Sequence, residues 1–224
     1  MTDDPEARVR REVTISAPSP ATWAYAEGFV LEDEALIRAR ARARELGCPP
    51  VHQGTGALLT VLTSSLRARA VVEIGTGAGV SGLYLLRGMP EDGVLTSIDV
   101  EVENQRAARL AFTEAGIRTN RARFIPGRAL DVLPRLADAA YDLVLVDAEK
   151  TEYDAYVEQA ARLLRPGGIL AVDNALWHNR VADPAQRDER TTLIRETNKA
   201  VRDHPRMRAA LLPCGDGLLV AVAD

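Results

Sequence analysis

From residue 70 onward the chain repeats one pattern. A short apolar run, closed by turn residues, is followed by an amphipathic stretch. The runs are Ala70 to Ile74, Val94 to Ile98, Arg123 to Ile125, Tyr141 to Val146 and Ile169 to Val172. Helical stretches lie between them, among them Gln105 to Ala115 and Tyr153 to Leu164, and Pro166-Gly167-Gly168 ends the latter before the next strand. Short runs that stay apolar at successive positions suit strands covered on both faces. Strands alternating with helices then predict a parallel sheet between two helical layers. Two further runs, Met207 to Leu212 and Leu218 to Val222, are joined by the hairpin-like link Pro213 to Gly217. The last strand is therefore expected to be antiparallel. The fold class predicted is α/β: a doubly wound, mostly parallel, seven-stranded Rossmann-like sheet.

Ahead of this core, residues 1–19 are polar and broken by Pro5 and Pro18, and read as a flexible arm. Residues 20–224 read as one domain, with N-terminal helices over 20–66 and the core over 67–224. The first helix is expected over about 20–46, with Trp23, Phe29, Leu31, Leu36 and Ile37 as its apolar positions. Gly47, Pro49 and Pro50 then break the chain before a second helix from Gln53 to Leu66. Arg38, Arg40, Arg42 and Arg44 step by two and so fall on two helix faces. They read as a solvated, arginine-rich helix rather than a phosphate-binding stripe.

Composition removes several classes of function. Charged side chains number 28 basic and 32 acidic, a net of -4, which weighs against a general nucleic-acid-coating protein. Only Cys48 and Cys214 occur, with no CxxC pair, which disfavours a structural zinc site and makes a disulfide unnecessary. No apolar block resembles a leader, and no run approaches the ~18 residues of a membrane span. A cytoplasmic protein without membrane contact is expected.

The chemistry clusters where the strands end. Val71 to Ser81 places Gly75, Thr76, Gly77 and Gly79 at the first strand-to-helix turn, where backbone can approach a ligand closely. Gly77, Gly79 and Gly82 also fit GxGxxG, the dinucleotide fingerprint. Asp99 closes the second strand, where a carboxylate can bind both ribose hydroxyls of an adenosine. Glu73 lies inside an otherwise apolar strand and must be hydrogen-bonded there. A pyrophosphate beside it is awkward, whereas a ligand carrying a sulfonium and an ammonium suits it. The pair Glu73 and Asp99 thus tilts the reading from a nicotinamide dinucleotide to S-adenosylmethionine. A capping role for Glu73 on local backbone N–H groups is the structural alternative.

The fourth strand ends in Asp147-Ala148-Glu149-Lys150 and the fifth in Asp173-Asn174. Adjacent strands lie ~4.8 Å apart, so two carboxylates and an amide oxygen would converge beside the glycine loop. Such oxygens suit Mg2+, Ca2+ or Mn2+ and do not suit zinc. Plain helix capping by both aspartates is the alternative. Lys150 is one of two lysines against 26 arginines. Where arginine serves nearly every plain positive charge, a retained lysine points to chemistry that needs an amine able to lose its proton.

These motifs together, Val72-Glu73-Ile74-Gly75-Thr76-Gly77-Ala78-Gly79, Ser97-Ile98-Asp99, Asp147-Ala148-Glu149-Lys150 and Asp173-Asn174-Ala175-Leu176-Trp177, resemble the cation-dependent class I O-methyltransferases. That family includes the catechol and caffeoyl-CoA O-methyltransferases and their bacterial relatives, and the resemblance runs from about Gln53 to the C-terminus. It implies that Glu73, Gly75, Thr76, Gly77, Ser81, Asp99 and the backbone near Ala129 line an S-adenosylmethionine site bordered by Asp147. It implies that Asp147, Asp173 and Asn174 hold a divalent metal and that Lys150 is the general base. It further implies a homodimer and a catechol-like aromatic acceptor. Trp177 and His178, on the loop after the metal pair, suit a cover for such an acceptor, and plain loop packing is the alternative for Trp177. Ala129 and Val80 depart from the family, where some members carry a hydroxyl and an aromatic side chain. His52 and His204 show no chemical signature in the sequence. Two rivals remain. A tRNA hydroxyuridine O-methyltransferase of the same family would use Arg38 to Arg44 with Arg118, Arg121 and Arg123 on phosphates. An NAD-dependent oxidoreductase would fit the glycine loop but lacks a lysine four residues after a tyrosine. A regulatory protein that binds the cofactor without catalysis is a third reading, disfavoured by the intact Asp147, Lys150, Asp173 and Asn174 set.

Overall fold

The structure, a computed structural model, describes residues 17–224. The expected arm lies, except for its last three residues, outside the described residues. Seven strands form one sheet in the order β3-β2-β1-β4-β5-β7-β6. They are β1 (Ala70–Ile74), β2 (Val94–Asp99), β3 (Ala122–Pro126), β4 (Tyr141–Val146), β5 (Leu164–Val172), β6 (Met207–Leu212) and β7 (Leu218–Ala223). The first five pair in parallel, and β7 lies antiparallel between β5 and β6, so the predicted doubly wound sheet with an antiparallel last strand is what forms.

Strand pleating explains why apolar runs were continuous. Val72, Ile74, Val144 and Val146 face one helical layer, while Val71, Leu143 and Leu145 face the other. Each of these residues is at most 1% exposed, and each buried Val or Leu contributes ~1.5–3 kcal/mol. The first layer packs under α6 (Ala129–Val132), α7 (Tyr153–Leu163) and α8 (Glu189–Asp203). The second layer is made by α2 (Glu34–Glu45), α3 (Gln53–Leu66), α4 (Val80–Gly88) and α5 (Val102–Glu114).

Three local expectations need correction. Strand β5 begins at Leu164, not Ile169: Leu164 pairs with Tyr141, and the register shifts before Ile169 pairs with Leu143. Pro166-Gly167-Gly168 thus sits within the strand rather than ahead of it. The single helix expected over 20–46 is two, α1 (Pro20–Glu27) and α2. Gly28 closes α1, and Asp33 starts α2 by accepting the Leu36 N–H at 3.1 Å. Of the apolar positions named there only Leu36 is buried, whereas Phe29 is 70% and Leu31 88% exposed.

Part of the arginine stripe is engaged within the fold, while Arg38 and Arg44 stay exposed. Arg38 and Arg42 both reach Glu114, docking α2 on α5. Arg40 donates to Glu32 at 2.7 and 2.8 Å and to the Val51 carbonyl at 2.7 Å, and Tyr84 donates to the same glutamate. This largely buried cluster draws Glu32 inward, which fixes the break between α1 and α2. Arg40→Ala should leave Glu32 poorly paired and cost ~2–3 kcal/mol. In a chain of this size that lowers Tm by roughly 4–12 °C, readable by calorimetry.

Candidate active site

The order of strands reverses between β1 and β4, and loops after these two strands leave in opposite directions, opening a crevice at their carboxyl ends. A cleft of about 740 Å³ occupies that place. Its floor is the loop after β1. Gly75 has φ 97°, and a Cβ there would lie 2.0 Å from the Asp147 carbonyl oxygen. Glycine is needed so that the loops after β1 and β4 can lie against each other. Gly77, at φ 49°, faces open space. Gly79 and Gly82 meet Ala108 and Phe112 of α5 instead. The apparent dinucleotide fingerprint is therefore mostly a helix-packing device.

Asp99 holds this loop. Its Oδ2 accepts the N–H groups of Thr76 at 2.9 Å and Gly77 at 3.0 Å, and Oδ1 accepts that of Glu101 at 2.8 Å. The Asn104 amide adds weaker contacts, 3.5 Å to Oδ1 and 3.3 Å to Oδ2, and the carboxylate stays at the cleft wall.

Glu73 lies elsewhere than expected. It is completely buried and stands behind the cleft rather than in its wall. Ser81 donates to Oε1 at 2.6 Å and Ser97 to Oε2 at 2.5 Å, with the Thr76 hydroxyl 2.7 Å from Ser97 Oγ. Its partners are these hydroxyls and not backbone N–H groups. It orients Ser81 and Thr76, which do line the cleft. Burial above all pushes its carboxyl up to about 7, with Asp147 and Asp99 adding to the rise and the two serines opposing it. A raised acid stabilises the fold while protonated, so stability is full below about pH 4.5 and is lost as pH rises through 7. The loss expected is on the order of 3 kcal/mol. Glu73→Gln should flatten the pH dependence of Tm between pH 5 and 8, and an unchanged slope would show that another group sets it.

The opposite wall carries Asp147, and Asp173 lies buried beside it. Strands β4 and β5 pair Val146 with Val172, so Asp147 and Asp173 leave the sheet side by side. Lys150 Nζ lies 3.2 Å from Asp147 Oδ1, 2.6 Å from Asn174 Oδ1 and 2.5 Å from the Tyr153 hydroxyl. Two of the three expected metal ligands therefore already point oxygens at one cationic point. Asp173 is 1% exposed, and its Oδ1 has no hydrogen-bond partner. Burial first, and then the neighbouring Asp147 carboxylate, push its carboxyl well above the usual range. Among the described residues, no three His, Cys, Asp or Glu side chains gather as a metal cage. The donors here are instead two carboxylates and an amide oxygen, with one buried carboxylate oxygen left over. That set fits a hard divalent cation.

After β5 the chain runs through four non-glycine residues at positive φ: Asn174 (59°), Trp177 (48°), His178 (54°) and Asn179 (65°). Strain of this kind persists only where surroundings enforce it. The β6–β7 hairpin does so: the Ala175 and Leu176 N–H groups donate to Gly217 and Asp216 carbonyls at 2.9 Å, and the His178 N–H donates to Asp216 Oδ1 at 2.6 Å. Trp177 and His178 thereby line the cleft, and Trp177 Nε1 is buried with no partner. Ala129 lines it too, at the start of α6.

Three participants escaped the sequence reading. Tyr153 could have been found, because it lies three residues after Lys150 and so shares its side of a helical turn. Asp216 could not, since only the strand order brings the last hairpin beside β5. His52, read as having no signature, stands in the cleft wall with Pro49 and Pro50. Arg118 and Arg121 are spent on backbone carbonyls, Arg118 on Glu91 and Arg121 on Gly93, Leu86, Met89 and Pro90. Both cysteines are free thiols. Among the described residues no helix is long and apolar enough to cross a membrane.

Comparison with known proteins agrees with this geometry. A family model described as O-methyltransferase matches residues 24–223. A Mycobacterium tuberculosis protein named as an O-methyltransferase is 49% identical over 210 residues, 93% of this chain and 94% of that protein. A Corynebacterium glutamicum crystal structure superposes with TM-score 0.83 at 37% identity, over 89% of this chain and 94% of that one. The O-methyltransferase TomG of Streptomyces achromogenes, involved in tomaymycin synthesis and solved in complex with SAM, gives TM-score 0.81 at 31% identity, over 92% of this chain and 99% of that one. A cleft at the β1/β4 switch point, a family match across nearly the whole chain and relatives near half identity agree on one assignment: the chain belongs to the O-methyltransferase family.

Proposed function

We propose that this O-methyltransferase uses S-adenosylmethionine and a divalent cation, Mg2+ or a similar ion, to methylate a catechol-like or other vicinal-oxygen acceptor. The observation that carries the reading is that Asp147, Asn174 and Lys150 meet at one end of the cleft whose floor is the glycine loop, with the buried Asp173 at the paired strand end beside them.

The chain's own groups divide the work. Gly77 leaves room for a nucleoside against the loop, and Asp99 offers acceptor lone pairs at the wall. Ser81 and Thr76, oriented by Glu73 and Ser97, face the donor. S-adenosylmethionine supplies a methyl group on a cationic sulfur. Asp147, Asp173 and Asn174 would hold the cation, which would favour an ionised acceptor hydroxyl and balance the two carboxylates. Lys150 Nζ takes the hydroxyl proton as general base. Trp177 and His178, which line the cleft, cover the acceptor. The cleft's main contribution is alignment of the accepting oxygen with the methyl carbon.

The tRNA reading loses part of its support, because Arg38, Arg40, Arg42, Arg118 and Arg121 make contacts within the fold, whereas Arg44 and Arg123 stay exposed. Exposed Tyr25, Phe29, Val30 and Leu31 favour a homodimer. The direct test is methyl transfer from labelled S-adenosylmethionine to catechols, hydroxycinnamoyl esters, flavonoids and tRNA, each with and without Mg2+. Label should enter a vicinal-oxygen aromatic only when Mg2+ is present. Transfer confined to tRNA would overturn the acceptor class.

A further inference from the structure

Lys150 is placed oddly for a base awaiting a substrate. Its Nζ is 2.6 Å from Asn174 Oδ1 and 3.2 Å from Asp147 Oδ1, two of the three oxygens that a cation would need, and its side chain is only 11% exposed. Mg2+ holds oxygens at ~2.0–2.1 Å, so an ion gripped by those atoms would stand within a few ångströms of the lysine's charge. Two cations so close, away from solvent, repel strongly. We propose that Lys150 is the resident cation of the metal site, which the divalent ion must displace, and that this displacement turns the amine toward the acceptor. The inference rests on the divalent-ion reading above and adds a competition that the reading does not require.

The rest of the site fits this exchange. In the resident position the lysine bridges Asp147 and Asn174 and offsets carboxylates that would otherwise face each other uncompensated. Asp173 Oδ1, buried and unpartnered, is the oxygen that the lysine does not satisfy and an ion would. A lysine can make the exchange because its charge is compact and its four-carbon stem is flexible, whereas an arginine's planar fork would hold both oxygens at once. In a chain with 26 arginines and two lysines, that difference gives the lysine at 150 a reason.

The test is calorimetric titration of MgCl2 into the full-length protein at one fixed pH, without acceptor. K150M and K150Q remove the charge and should bind Mg2+ at least tenfold more tightly than wild type, about 1.4 kcal/mol. K150R keeps the charge and should show no such gain. Equal or weaker binding by K150M and K150Q overturns the proposal while leaving the metal site standing, and so does equal tightening by K150R. Absence of Mg2+ binding in wild type and every variant removes the metal reading and the proposal with it. Wild-type protein gives a second readout through acetic anhydride labelling followed by mass spectrometry, with exposed Lys199 as internal reference. Mg2+ should increase labelling of Lys150 relative to Lys199; unchanged or reduced labelling under conditions where Mg2+ binds overturns the displacement.

Discussion

Lys150→Ala should lower turnover by ~100-fold or more, the scale of a lost general base, and leave S-adenosylmethionine affinity nearly unchanged. The expectation follows from where the amine sits. Its contacts are Asp147, Asn174 and Tyr153, at the end of the cleft where β4 and β5 finish, and none of them belongs to the glycine loop. Removing it therefore strips the reacting end and spares the donor end. Fluorescence or calorimetric titration of the cofactor reads the second half of the claim, and single-turnover methyl transfer reads the first. Turnover within a few-fold of wild type at neutral pH would refute the base assignment. A parallel collapse of cofactor binding would show that Lys150 is structural.

Chelation should have the second large effect. Activity in excess EDTA should fall by ~1,000-fold or more and return when Mg2+ is restored, because polarising an oxygen is worth several kcal/mol and each 1.36 kcal/mol is tenfold in rate. Asp173→Ala should reproduce the loss without rescue by Mg2+, since it removes a buried carboxylate oxygen that has no hydrogen-bond partner among the described residues. Full activity in chelator would dismiss the cation. Loss of activity accompanied by a collapse of Tm in the variant would point to folding instead, which is why the chelation experiment on the intact chain comes first.

The core was legible in the sequence because burial on both faces leaves no ambiguity in composition. Leu143 to Val146 read as a central strand since every position must be apolar, and each of these residues is fully buried. The ends of such strands were legible too. A charged residue that follows a buried run has nowhere to go except the carboxyl edge, as Asp99, Asp147 and Asp173 do. Legibility failed where tertiary partners decide. Glu73 is spaced like a ligand-binding carboxylate, but pleating turns it toward α4, where Ser81 holds it. The arginines of α2 alternate like a surface stripe, yet Glu114 and Glu32, from outside the helix, claim Arg38, Arg40 and Arg42. The break at Gly28 was hidden because Phe29 and Leu31 look like core and are not. Asp216 and His52 come from opposite ends of the chain, and no local pattern announces that they share a cleft.

The most direct check is a crystal of the protein grown with S-adenosylmethionine and soaked in MnCl2, with anomalous scattering recorded. The account predicts a single strong peak within ~2.0–2.6 Å of oxygens of Asp147, Asp173 and Asn174. An empty site at saturating MnCl2, with the Lys150 amine still seated between Asp147 and Asn174, would contradict it.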